Sequence, residues 1–378
     1  MMKEKISAWY DKNYKKVLIV PALLILLSIS YLAFFYYQNN DIIYKDVSLT
    51  GGTSITIHSQ LSVSEAMSAL SSKIKGIDVK SISDNSGIQT GLIINSQESP
   101  EIMIPIIEDY LGYKLTDENS SIEFTGSSLG GDFYNQLVKA VIFAFLLMAF
   151  VVFFVFGKSK LIKSYSLILT LLSARITFPI SRIIGITAFV ISAIVFIYAL
   201  YISKTKTNYF YSSIVFLVFA VFYFIQPYYL IIPLAIFLFS LYSIVSIPSI
   251  AVIISAFADI ALSLAVVDLF GMKMSSAGIV AFLMLIGYSV DTDILLTTRV
   301  LKRKSESVNK AIWGAFKTGS TMTLTSIIAV GVALIVVYNY NTILNQIFTI
   351  LLIGLSFDLF NTWITNTSLI KLYAERNG

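Results

Sequence analysis

Cysteine is absent from the 378 residues, histidine occurs once, and only 13% of the chain is charged. The first absence excludes disulfides and cysteine metal centres. A single histidine, His58, also rules out the histidine clusters of zinc sites and most hydrolytic triads. His58 falls in a predicted strand, where a half-exposed position accounts for it. The shortage of charge reaches furthest. A chain that is 56% hydrophobic, with a mean hydropathy of +0.80, cannot close into a water-soluble globule without large exposed apolar patches. A bilayer is the solvent that such a composition calls for.

The net charge of +5 is unevenly spread. Residues 38–132 hold 13 acids against five lysines, a net −8, while the remainder carries 22 basic residues against nine acids, a net +13. The bases sit in short segments beside apolar runs. That is the positive-inside pattern of a membrane protein, with phospholipid headgroups as counter-charges, and not a nucleic-acid patch.

These shifts divide the chain. Residues 1–37 read as a basic cytoplasmic N-terminus and a retained first span from Val17 to Tyr37; the run is too long for a signal peptide and lacks a small-residue cleavage site. Residues 38–132 read as an external domain. Its predicted order is strand Val47–Ile57, helix Val63–Ile74, strands Ile77–Ile82 and Gln89–Ile94, helix Pro100–Tyr110 and strand Ser121–Thr125. That βαββαβ succession is the ferredoxin-like α+β arrangement. Residues 133–157 hold a second span, Leu137–Phe156. Residues 247–378 hold four more, Ile247–Phe270, Ser275–Thr298, Thr318–Tyr338 and Ile343–Ile370, with the basic RVLKRKSESVNK link in the cytoplasm.

Between them, residues 158–246 offer four candidates: Leu161–Thr177, Ile183–Ile202, Tyr209–Gln226 and Tyr228–Val245. The segments on either side must both lie inside, so an even number of crossings separates them. Four crossings put Lys204 and Lys206 in the cytoplasm and bring the total to ten spans, with both termini inside. An interfacial Leu161–Thr177 helix is the second choice.

Five acids fall in these spans or at their ends: Asp259, Asp268, Asp291, Asp293 and Asp358. A carboxylate at mid-span costs about 2.5 to 3.5 kcal/mol, so each needs a compensating environment. Asp259 stands about 18 Å into its helix, near the midplane, and Asp358 about as deep. At that depth exchange of charge for a proton is a workable switch; the plainer account is hydrogen-bonded packing. Asp291 and Asp293 subtend about 200° on a helix, so only one faces the bundle. Asp268, near an end, reads as solvated. Arg299 reads equally as a stop-transfer anchor or as a partner of Asp291 or Asp293. Thr318, Thr321 and Thr325 share a helix face, consistent with close packing or a water path.

Several segments resemble one family, the SecF subunit of the SecD/SecF protein-export complex, in the resistance-nodulation-division superfamily. VSLTGGTSITI, with Gly51 and Gly52, resembles its Gly-Gly strand, and TGSSLGGDFYNQ the lead-in to its second span. IPSIAVIISAFADIALSL carries Asp259 into the third. IGYSVDTDILLTTRVLKRKSES, with Gly287, Tyr288, Ser289 and Arg299, resembles the archaeal branch, and LSFDLFNTWITN carries Asp358 and Asn361. The resemblance implies six spans, so the chain reads as six family-like spans plus about four inserted, and the inserted stretch has no counterpart in the family pattern. Bacterial members have Asn-Asp after Gly-Tyr-Ser where this chain has Val290, Asp291, Thr292 and Asp293, so the coupling acid does not transfer by position.

The resemblance implies an accessory subunit of the Sec translocase, not an enzyme, needing no cofactor or metal. Its partners would be a SecD-like protein, the Sec channel, translocating polypeptides and membrane lipids. Proton-coupling candidates are Asp259, Asp291, Asp293, Arg299, Asp358 and Asn361. A stand-alone transporter of a lipid or small molecule is the alternative, and a purely structural scaffold a third. No second copy of the GYSVDTD segment supports a duplicated transporter.

Overall fold

A computed structural model describes residues 2–84, 86–178, 182–202, 206–225, 231–302, 306–340 and 343–377. Lys204, in a predicted cytoplasmic loop, and Gln226 and Tyr228, where two predicted spans end and begin, lie outside the described residues. Helices dominate. α1 (Met2–Val17) runs into α2 (Ile19–Asn39), and a one-turn helix α3 (Val47–Thr50) leads into the small domain. Among the described residues seven helices are long and apolar enough to cross a membrane, starting with Trp9–Asn39. The others are α6 (Ser127–Phe156), the Gly185–Ile202 part of α8, α11 (Ile247–Leu269), α12 (Ser276–Lys302), α13 (Val308–Val337) and the Ile343–Arg376 run. That last run joins α14 (Ile343–Asn361), a π-turn (Thr362–Asn366) and α15 (Thr367–Asn377).

The domain follows the predicted succession: β1 (Gly52–Ile57), α4 (Val63–Leu70), β2 (Asp78–Ser83), β3 (Gln89–Ser96), α5 (Pro100–Leu111), β4 (Ser120–Thr125). The sheet order is β2-β3-β1-β4 with every neighbour antiparallel. Ile55, Ile57, Leu92 and Ile94 point to one face, where Leu70, Met103 and Ile107 of α4 and α5 bury them. The predicted first strand is shorter than expected. Asp46 caps Val47 through its carboxylate, 2.6 Å from the amide, so residues 47–50 coil into a turn. Gly51 (φ 80°) and Gly52 (φ 136°) then redirect the chain with backbone angles that side chains resist.

Gly51 is also a close-packing point. A methyl there would lie 2.3 Å from Ser127 Cα, and one on Gly130 would lie 2.6 Å from Gly51 N. The two glycine-rich motifs therefore meet backbone to backbone, clasping the domain to the start of α6. A second clasp joins Lys45 to Met274 in the α11–α12 loop, where Asp46 N donates to Met274 O at 2.9 Å and Met274 N to Tyr44 O at 2.6 Å.

Two helices begin earlier than their apolar runs. α6 starts at Ser127 instead of Leu137, and α13 at Val308 instead of Thr318. Each is 30 residues, about 45 Å, so it stands beyond a hydrocarbon core of about 30 Å. The first turns of α13 stay helical because Ala311, Ile312 and Ala315 are buried against Leu296, Val300 and Ile370.

α11 is the centre of the bundle. Its Ala and Ser residues at 251, 255, 256, 258, 261, 263 and 265 let neighbouring helices approach closely. The inserted stretch forms α7 (Lys160–Thr177), α8 (Arg182–Ile202), α9 (Lys206–Ile225) and α10 (Ile231–Val245). α7 is the most enclosed of them, with Ile168, Leu172 and Ile176 against Phe219 and Tyr223 of α9. Ser166 and Tyr242 bond it to α10, and Phe153 of α6 stacks on Tyr242 at 4.3 Å.

Candidate functional site

Three helices carry polar residues four apart in otherwise apolar runs: Ser255-Asp259-Ser263 on α11, Ser289-Asp293-Thr297 on α12, and Asp358, Asn361, Thr362, Thr365 and Asn366 along α14 and the π-turn. Spacings of three and four place each set on one helix face. Packing turns all three faces inward. Asp259 and Asp293 are fully buried, and Asp358 and Asn361 almost so.

Asp259 joins three helices. It accepts from the Ser289 hydroxyl of α12 and, at 2.6 Å, from Asn361 Nδ2 of α14. Thr365 donates to Asn361 Oδ1 at 3.1 Å, fixing that amide. Asn366 Nδ2 donates to Asp293 Oδ1 at 2.8 Å. Asp358 accepts from Thr362 at 3.2 Å and from Thr323 of α13 at 3.3 Å, and Thr292 lies 3.4 Å from Thr323. The network thus ties α11, α12, α13 and α14 together inside the bundle. The π-turn makes the arrangement possible: its wider register keeps both Asn361 and Asn366 inward, and Thr367 donates to the displaced Thr362 carbonyl at 2.8 Å.

Among the described residues no Lys, Arg or His pairs with Asp259, Asp293 or Asp358. Nor do three or more acids gather there as a metal cluster. The donors are neutral hydroxyls and amides.

The other sequence candidates divide. Asp291 is exposed, on an outward stripe with Val280, Met284, Gly287 and Tyr288, so of the adjacent acids Asp293 alone faces inward. Of the Gly287-Tyr288-Ser289 motif, Ser289 alone reaches the network. Arg299 pairs with no acid of the described residues. Its guanidinium lies flat on α13, where a methyl on Gly314 would meet Nη2 at 2.3 Å. Asp268 corrects the expectation of a solvated end: it is 2% exposed, because the clasp between residues 44–46 and Met274 folds over the end of α11. Thr318, Thr321 and Thr325 face outward, and Thr323, off that face, is the α13 residue that enters the network. Thr362, Thr365 and Asn366 carried a readable signal in their spacing from Asp358.

Fold and site together define a multi-span membrane protein with a small α+β domain and a buried polar network. The family model described as protein export membrane protein SecD/SecF, C-terminal, matches residues 208–376. The protein-export membrane protein SecF of Methanocaldococcus jannaschii is 30% identical over 367 residues, covering 96% of each chain. SecF of Methanolacinia petrolearia is 46% identical over 134 residues, 35% of this chain and 47% of its own length. The crystal structure of SecDF from Thermus thermophilus, titled a translocon-associated membrane protein, has a TM-score of 0.53 at 13% identity, covering 97% of this chain and 38% of that one. The chain belongs to the SecF family of protein-export membrane proteins.

One expectation changes with this. The M. jannaschii alignment spans nearly all of both chains and so runs through residues 158–246, and the family model itself begins at residue 208. The inserted helices have counterparts in that relative.

Proposed function

We propose that the protein is an accessory subunit of the Sec translocase that works beside a SecD-like partner and couples ion movement, most simply of protons, to export. The buried network carries this reading. Three enclosed acids without a fixed cation must take compensating positive charge from outside, as a proton or a metal cation. Because Asp259 is bonded to α12 and α14, and Asp358 to α13, gain or loss of that charge alters interhelical bonds and biases two bundle packings.

Asp291 supports the partner. A carboxylate turned toward acyl chains costs about 2.5 to 3.5 kcal/mol at mid-span, and a neighbouring subunit's helix removes that cost. The ten-span count, with both termini in the cytoplasm and the domain outside, completes the reading. The domain's strand order is that of a split-βαβ ferredoxin-like sheet.

The test combines recovery and transport. Tagged protein isolated in mild detergent is expected to bring a SecD-like chain with it. Asp259→Asn with Asp358→Asn is expected to leave that recovery intact while proton-gradient-dependent export in native vesicles falls at least tenfold. Undiminished export in the double variant would make the acids packing residues. Recovery of the chain alone, under conditions that keep other complexes whole, would favour an independent transporter.

A further inference from the structure

All three tryptophans of the chain line one cavity. Trp9 of α1, Trp313 of α13 and Trp363 of the π-turn, with Ile312 and Phe316, enclose about 190 Å³ at the end of the bundle where both termini lie. Phe316 meets Trp313 and Trp363 edge-on at centroid distances of 5.4 and 5.0 Å. Trp363 Nε1 is buried and meets no acceptor among the described residues, a donor left without its hydrogen bond.

The polar groups on the wall are already committed. Asp11 accepts from Asn309 Nδ2 at 2.7 Å and from the buried Lys371 ammonium, which also bonds Asn309 Oδ1 at 2.8 Å. The acid facing the cavity is therefore neutralised. Exposed lysines stand outside the lining, on the two helices that contribute Trp9 and Trp313. Lys310, Trp313 and Lys317 fall at i, i+3 and i+7 on one face of α13, and Trp9 and Lys12 share a face of α1. Because α13 is longer than the hydrocarbon core is thick, its first turns stand at headgroup level, where aromatic belts lie.

We propose that this cavity binds an anionic phospholipid, one acyl chain entering among the tryptophans and the phosphate facing Lys12, Lys310 and Lys317. An apolar slot with a cationic rim at headgroup depth matches an amphiphile of that charge. The Trp363 N–H supplies the hydrogen bond that an ester or phosphate oxygen accepts. The inference rests on the membrane reading of the chain and is independent of the export role.

The three tryptophans make intrinsic fluorescence a reporter of this site alone. The full chain is reconstituted in phosphatidylcholine vesicles holding a minority of brominated phosphatidylglycerol, or the same minority of brominated phosphatidylcholine. Quenching by the anionic lipid is expected to be several-fold stronger. In the Lys12→Gln, Lys310→Gln, Lys317→Gln protein the two lipids are expected to quench alike, while Lys73→Gln with Lys75→Gln, in the small domain, keeps the preference. Equal quenching in the unchanged protein reduces the tryptophans to annular anchors and overturns the site. Loss of the preference in the domain variant assigns it to bulk charge and overturns it as well. Relief of quenching by added inorganic phosphate means that the rim binds the anion alone, which removes the lipid.

Discussion

Asp293 and Asn366 form a pair in which each side chain depends on the other. Asp293→Ala leaves the buried Asn366 amide only its long contacts to Thr297 Oγ1 and the Asp293 carbonyl, both at 3.4 Å, and a lost buried partner of this kind costs about 1 to 3 kcal/mol. A fall in the detergent melting temperature is expected for that variant, and a smaller one for Asp293→Asn. Gly314 tests a different contact. Gly314→Ala drives a methyl into the Arg299 guanidinium, and overpacking of this size costs about 1 to 3 kcal/mol unless the arginine swings away. Combining it with Arg299→Ala is expected to restore the melting temperature, which separates this clash from any general loss of helix packing. The sequence placed both Asp293 and Arg299 among the residues that matter. It could not say that Arg299 would turn to α13, because the contact depends on Gly314, which only the packing of α12 on α13 brings beside it.

At the scale of elements, α1 is fastened to the last helix. Tyr14 donates to Glu375 at 2.5 Å, Tyr10 lies 2.7 Å from Ser368 Oγ, and Lys371 bonds Asp11. Lys371→Met removes the cation and leaves Asp11 facing an apolar neighbour, so α1 is expected to detach. Faster tryptic cleavage at Lys12, Lys15 and Lys16 would register it. The link between α2 and the domain is fastened by charge. Burial opposes the ionised form of Asp41, but Lys45 at 2.6 Å, the Tyr134 hydroxyl at 2.5 Å and the Ile42 amide at 2.8 Å outweigh it and hold the carboxyl below its ordinary 3.8. A lowered value in the folded state means that this support is complete above 3.8 and disappears as pH falls through the folded value. Pepsin should therefore cut residues 40–50 as readily in the unchanged protein as in Asp41→Asn near pH 2, and more slowly in the unchanged protein than in Asp41→Asn near pH 4.

Across the whole molecule, composition and charge marked the long apolar helices and the small acidic domain between them. The alternation of Ile55, Ile57, Leu92 and Ile94 marked the sheet. What they left open depends on contacts between distant segments. The extra turns of α13 exist because residues far along the chain cover them, and those of α6 begin where Gly130 packs on Gly51. Asp268 is enclosed by the strand-like pairing of nearby Met274 with Lys45, from the early part of the chain. The inserted helices were visible as apolar runs, while the enclosure of α7 was not: Ser166, Thr170 and Ser173 are buried only through the packing of its neighbours.

The pairing of Gly52 with Thr125 has a further consequence. The first and last residues of the small sheet stand side by side, so the chain leaves the bundle and returns to it at a single point. In evolutionary terms the domain is a cassette: its excision and the joining of those neighbours would leave the order of the helices intact. A domain whose ends are neighbours can be inserted or exchanged without disturbing the helices on either side of it.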